Sequence, residues 1–110
     1  MVQLNDVLTA ISHPTRRAII GRLARGPARF LDVAEPFDTA LNSVTKHLKI
    51  LDRAGLIART RRGREVYISL QPRPLRKVAT WMHPYERYWS GQLDQFQDFF
   101  EHKNKMKKTK

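Results

Sequence analysis

The decapeptide Asn42–Leu51, NSVTKHLKIL, carries the residue types and spacing in this chain that could do chemistry. Val44, Leu48 and Leu51 recur at four- and three-residue steps, while Asn42, Lys46 and Lys49 collect on the opposite side of a helical projection. A helix here would bury one face and present amide donors and cations on the other. A DNA major groove is wide enough to admit one α-helix, provided that polar or cationic side chains enter it. Asn42 could pair with adenine, Lys46 with guanine O6/N7, and Ser43 or Thr45 with base edges or phosphates. These four lie near the start of the segment, where groove-reading residues of a helix-turn-helix sit. Lys49, one turn on, suits a backbone phosphate. His47 falls at the edge of the apolar stripe, either as a half-buried ring bonded to backbone or as a further phosphate or base contact. A merely solvated amphipathic helix would show the same pattern, so the neighbouring segments decide.

Those segments supply a frame. Leu4, Val7, Leu8 and Ile11 predict a short amphipathic helix, and SHPTRRAIIGRLARG restarts the chain with Pro14 in a first helical turn and Gly26–Pro27 as the stop. In that second helix Ala18, Ile19, Leu23 and Ala24 are expected to be buried, leaving Arg16, Arg17, Arg22 and Arg25 to solvent or phosphate. ARFLDVAEPF predicts a brief third helix with Phe30, Leu31, Val33 and Ala34 inward. The basic helix then follows and runs to Gly55, a left-handed cap. Two short helices around a tight connection, the second amphipathic and basic, make a helix-turn-helix pattern. Beyond Gly55 the period drops to two. LIART and EVYISL alternate, with Val66, Ile68 and Leu70 on one face, and RRGR between them predicts a β-hairpin whose tip carries Arg61, Arg62 and Arg64. Those arginines suit phosphates beside the groove or the minor groove itself. From Pro74 to about Lys103 a long helical pattern returns, kinked or split at Pro84.

Composition bounds the rest. With 110 residues and 41% hydrophobic content, the chain has room for one core. Residues 1–102 are expected to form a DNA-binding and dimerisation domain. Lys+Arg number 21 against 10 Asp+Glu, giving a formal +11, which favours nucleic acid over a membrane surface as partner. Five of those lysines lie in KNKMKKTK, residues 103–110, a stretch expected to be a solvated, disordered tail. There is no cysteine, which excludes disulfides, thiolate ligands and a cysteine nucleophile. The N-terminal residues show no signal-peptide pattern, and nothing approaches the roughly 20 apolar residues of a membrane span, so a cytoplasmic protein is expected. No paired carboxylates, Ser/His/Asp array or glycine-rich phosphate loop points to an enzyme, and no cofactor is expected. His83 and Glu86, three apart in HPYE, match metal-ligand spacing on a helix, but the segment upstream, LQPRPL, supplies no Asp-x-His pair to complete a site.

ISHPTRRAIIGRLARGP, VAEPFDTALNSVTKHLKILDRAGLIARTRRGREVYISL and PLRKVATWMHPYERYWSGQLDQF together resemble the ArsR family of winged-helix regulators, over roughly residues 4–100. The resemblance implies a mostly α fold with a small β-hairpin, a winged helix-turn-helix with a long, kinked C-terminal dimerisation helix. It also implies a homodimeric transcriptional regulator, usually a repressor and often of its own operon. Asn42, Ser43, Thr45, Lys46, His47 and Lys49 then match the recognition helix, and Arg61–Arg64 the wing. There are two departures. Where thiolate metal sensors of the family carry Cys-x-Cys in the third helix, this chain reads FLDVAEPF, so that site cannot exist. Where relatives often have Ser before the recognition helix, this chain has Ala40, so a cap must come from Asp38 or Thr39 or be missing, at about 1 kcal/mol.

The last helical segment carries more aromatics than its own domain can bury. Trp81, Tyr85, Tyr88, Trp89, Phe96 and Phe100 recur at three- and four-residue steps, an apolar patch too large for a monomer surface. Pairing with a symmetry mate, together with Leu4, Leu8 and Ile11, would cover it. Two recognition helices in successive major grooves then call for an inverted-repeat operator in double-stranded DNA. A non-specific basic architectural protein and a protein-interaction module on the same fold are the competing readings. Whether a small-molecule effector acts on the aromatic seam is left open by the sequence.

Overall fold

A computed structural model describes residues 2–37 and 40–90, and the chain divides into two compact units, Met1–Val78 and Ala79–Lys110. The first unit runs α1 (Leu4–Ala10), α2 (Pro14–Leu23), β1 (Ala28–Arg29), α3 (Phe30–Ala34), α4 (Leu41–Arg53), β2 (Ile57–Arg62) and β3 (Glu65–Leu70), and α5 (Leu75–Met82) begins in it. Its core gathers one stripe from each element: Val7 and Ala10 of α1, Ile19 and Leu23 of α2, Val33 and Ala34 of α3, Val44, Leu48 and Leu51 of α4, and Leu56, Ile57 and Ile68 beyond. Burying a side chain such as Leu48 contributes about 1.5–3 kcal/mol.

Three expectations are corrected here. The β structure is a three-stranded antiparallel sheet of order β1-β3-β2, because Ala28 and Arg29 pair with Ile68 and Tyr67 ahead of the third helix. In α2 the buried side is Arg16, Ile19 and Leu23, while Ala18 and Ala24 face solvent. In the five-residue α3, Val33 and Ala34 take the inward positions and leave Leu31 66% exposed. A helix this short has one inward stripe, and the strand before it fixes which residues fill it.

The hairpin closes more tightly than four arginine-rich residues would. Arg62 pairs with Glu65 across a two-residue turn of Gly63 and Arg64. Gly63 has φ 63 and, among the described residues, no non-glycine residue has positive φ, the pattern of a type II′ turn. Strand alternation then sorts the side chains. Ile57, Arg59 and Arg61 pair with Leu70, Ile68 and Val66 on the face turned to the helices; Thr60 and Arg62 pair with Tyr67 and Glu65 on the other.

In the second unit, α5 gives way to a 3-10 turn at His83–Tyr85, and helix resumes at 86–90. Pro84 lacks the N–H that would continue the α-helical ladder, which accounts for the break. Trp81 and Tyr85 pack at a tilt with ring centroids 5.5 Å apart, and so do Tyr85 and Tyr88 with centroids 6.5 Å apart. Phe96, Phe100 and the basic tail 103–110 lie outside the described residues. Among the described residues no helix is long and apolar enough to cross a membrane.

Candidate nucleic-acid interface

The site is built on α4. Its N-cap is Ala40, which makes no side-chain cap bond; Asp38 and Thr39, the other cap candidates, lie outside the described residues. Within the first turns Thr45 donates from Oγ1 to Leu41 O at 2.9 Å, tying its hydroxyl back to the helix. The other end is firmly closed. Gly55, with φ 71, donates to Asp52 O at 2.9 Å, and Leu56 donates to Leu51 O at 3.0 Å. That pair of bonds is a Schellman cap, sealed by burial of both Leu51 and Leu56. The rod is therefore fixed from its C-terminal end and along its apolar side.

Its outer face is open. Asn42, Lys46 and Lys49 are exposed, and Ser43 and Thr45 half-buried beside them. Arg53, also exposed, extends the stripe by one more turn and was not singled out from the sequence. His47 is half-buried and turned inward. Its Nδ1 lies 3.3 Å from Nη1 of Arg16, and its ring packs on His13 with centroids 4.5 Å apart. The ring is thus held by side chains of α2 and its N-cap and not by backbone. Burial lowers its pKa, and the charges of His13 and Arg16 lower it further.

Two arginines of α2 are engaged with α1, Arg16 against expectation in the interior and Arg17 at the surface, where it was expected. Arg16 is buried, 7% exposed, and donates from Nε to Ala10 O at 2.6 Å and from Nη2 to Thr9 O at 3.0 Å. Arg17 donates to Ile11 O at 2.7 Å. Both satisfy carbonyls at the C-terminus of α1, where orphan acceptors and the helix dipole favour cations.

The wing places Arg61, Arg62 and Arg64 in solvent. Only Arg64 stands in the turn; Arg61 and Arg62 belong to β2 and point to opposite faces. Arg62 lies 5.5 Å over the Tyr67 ring, and Tyr67 donates to Glu65 Oε2 at 3.1 Å. Arg29 completes this outer network, donating to Glu65 Oε1 at 3.0 Å and to Asp32 Oδ2 at 3.1 Å. Arg59, by contrast, shares the helix-side face with Arg61. With Phe30, Thr45, Leu48, Val66 and Ile68 it lines a cleft of about 320 Å³ between α4 and the wing. Arg59 was missed in the sequence; counting strand parity from buried Ile57 would have found it.

Leu4, Leu8 and Ile11 of α1 and its C-cap are half-buried. Trp81, Tyr85 and Tyr88 are 52%, 45% and 61% exposed, with Trp89 half-buried, while Phe96 lies outside the described residues. His83 Nδ1 stands 3.5 Å from Glu86 Oε2, both well exposed, and among the described residues no three potential metal ligands stand together.

Comparison with known proteins agrees with this geometry. Residues 11–60 match a helix-turn-helix domain family. The chain is 39% identical over 79 residues to the transcriptional repressor SdpR of Bacillus subtilis, covering 72% of this chain and 88% of that protein. It is 32% identical over 84 residues to the HTH-type transcriptional regulator Rv2034 of Mycobacterium tuberculosis, 76% of each. Among solved structures, an ArsR family transcriptional regulator superposes with TM-score 0.71 at 37% identity, over 82% of this chain and 97% of that one. An ArsR-like regulator from Rhodococcus sp. RHA1 gives 0.67 at 25% identity, over 87% and 91%. The buried stripe of α4, its basic outer face and the hairpin beside it are thus those of a winged helix-turn-helix, and the chain belongs to the ArsR family of transcriptional regulators.

Proposed function

We propose that this protein is a DNA-binding transcriptional repressor that acts as a homodimer on an inverted-repeat operator. The observation that carries the reading is the exposed Asn42–Lys46–Lys49 stripe on a helix braced from behind by Val44, Leu48 and Leu51. Asn42, Ser43, Thr45 and Lys46 enter the major groove, His47 sits at its margin, and Lys49 reaches a phosphate. Arg59, Arg61 and Arg64 of the wing contact the adjacent backbone, while Arg62, on the opposite face against Tyr67, makes no phosphate contact. Leu4, Leu8 and Ile11 join Trp81, Tyr85, Tyr88, Trp89 and Phe96 in the subunit seam. Residues 1–102 serve as the functional domain and 103–110 as a basic tail. The protein works in the cytoplasm without a catalytic step.

Repression in the relative SdpR supports the sign of regulation. The test is competition between fragments of the protein's own promoter region and random DNA at one fixed salt concentration. A specific regulator prefers its site by about 10³-fold or more. Equal binding to both would leave an architectural protein. Charge reversal at Lys46 and Lys49 with unchanged DNA affinity would leave a protein-interaction module.

A further inference from the structure

Arg16 stands apart from the other cations of the described residues because it is buried. A guanidinium has five donors and no acceptor. Nε and Nη2 are spent on the α1 carbonyls of Ala10 and Thr9, and Nη1 is directed at His47 Nδ1, 3.3 Å away. Since Arg16 cannot accept, the bond forms only when Nδ1 carries a lone pair, so the ring proton sits on Nε2. His13, packed against the same ring, has its own Nδ1 engaged as the acceptor of Thr15 N–H at 3.1 Å. The groups facing His47 are thus Arg16 and His13 of α2 and its N-cap. Among the described residues no carboxylate offsets them.

We propose that Arg16 is a positioning residue for DNA recognition: it clamps neutral His47 as the Nε2–H tautomer, seating α4 against the end of α1, and proton uptake by His47 opens the clamp and weakens DNA binding. The second proton would have to enter on Nδ1, in the space between the ring and Nη1. It would replace an attractive bond with two cations in contact, and α4 would lose its polar tie to α1 and α2. The low pKa of the ring follows from the same surroundings. This rests on the DNA-binding role above, and its test has one arm that does not.

That arm is nitrogen-detected NMR of the imidazoles in the free protein. Wild type is expected to show Nδ1 unprotonated and Nε2 protonated at His47. Arg16→Lys, which keeps the charge and loses the fork, is expected to mix the tautomers. A mixed or Nδ1–H ring in wild type overturns the clamp whether or not the protein binds DNA. The second arm is operator affinity from about pH 8 to about pH 5, at constant ionic strength. Wild-type affinity should fall by up to about tenfold per pH unit below the pKa of His47. His47→Gln, uncharged throughout, should change less than about twofold over the same range. If wild-type affinity instead rises on acidification, His47 charges against phosphate and the clamp is refuted. An equal fall in His47→Gln refutes it as well, and that variant remains informative if Arg16→Lys fails to fold.

Discussion

Arg16 is a charge kept in the interior by three acceptors, and the consequence of removing it follows from what it leaves behind. Arg16→Met would leave the Ala10 carbonyl without its donor and His47 without its partner, while the Thr9 carbonyl keeps the Ser12 hydroxyl at 2.6 Å. Each unsatisfied buried group costs about 1–3 kcal/mol, so a total loss of about 2–4 kcal/mol is expected in urea titration. Arg25→Met, at an exposed position, should stay within about 0.5 kcal/mol of wild type. In the sequence these residues look alike. Spacing places Arg16 beside Arg17 at the start of a helix, but the acceptors that bury it belong to two other helices and converge only in three dimensions. The same limit governs His47: its position at the edge of the apolar stripe was legible, whereas its partners, 31 and 34 residues away, were not.

At the scale of elements, periodicity carried most of the information. The recognition helix, its glycine stop and the hairpin were legible because each spans enough residues to show a period and ends on a residue with a backbone reason to be there. The two-residue β1 was not, since two residues have no period and run straight into α3. Strand alternation also makes a prediction that the raw list of wing arginines cannot. Arg59 and Arg61 share the face toward α4, while Arg62 lies on the other face against Tyr67. Arg59→Ala and Arg61→Ala should each flatten the slope of log affinity against log salt by about 0.9, the mark of one lost phosphate contact. Arg62→Ala should leave that slope unchanged. A flattened slope in Arg62→Ala with none in Arg59→Ala would place the DNA on the outer face of the sheet. The helix itself is tested from behind: Leu48→Ala, with the side chain 1% exposed, should cost about 2–5 kcal/mol of stability.

At the scale of the whole molecule, one small basic surface has to become selective. A single recognition helix reads few base pairs, and phosphate contacts are blind to sequence. Joining two copies makes the second docking event intramolecular, so avidity can exceed either half-site alone by about 10²–10⁴-fold. It also ties affinity to a spacing of about 34–36 Å or a multiple between half-sites. The aromatic run at Trp81, Tyr85 and Tyr88, about half exposed, is the surface proposed above for that joining. Replacing Tyr88 and Trp89 by Glu would set two carboxylates into the proposed seam, where unpaired charge excluded from water is costly. The variant is expected to sediment as a monomer and to keep its helical circular dichroism, since the core of residues 2–78 does not include those positions. Its operator affinity should fall at least about 100-fold, and insertion of half a DNA turn between the half-sites should no longer matter to it. A monomer that still binds the operator at full strength would show that recognition is complete in one copy and that the aromatic surface serves some other contact.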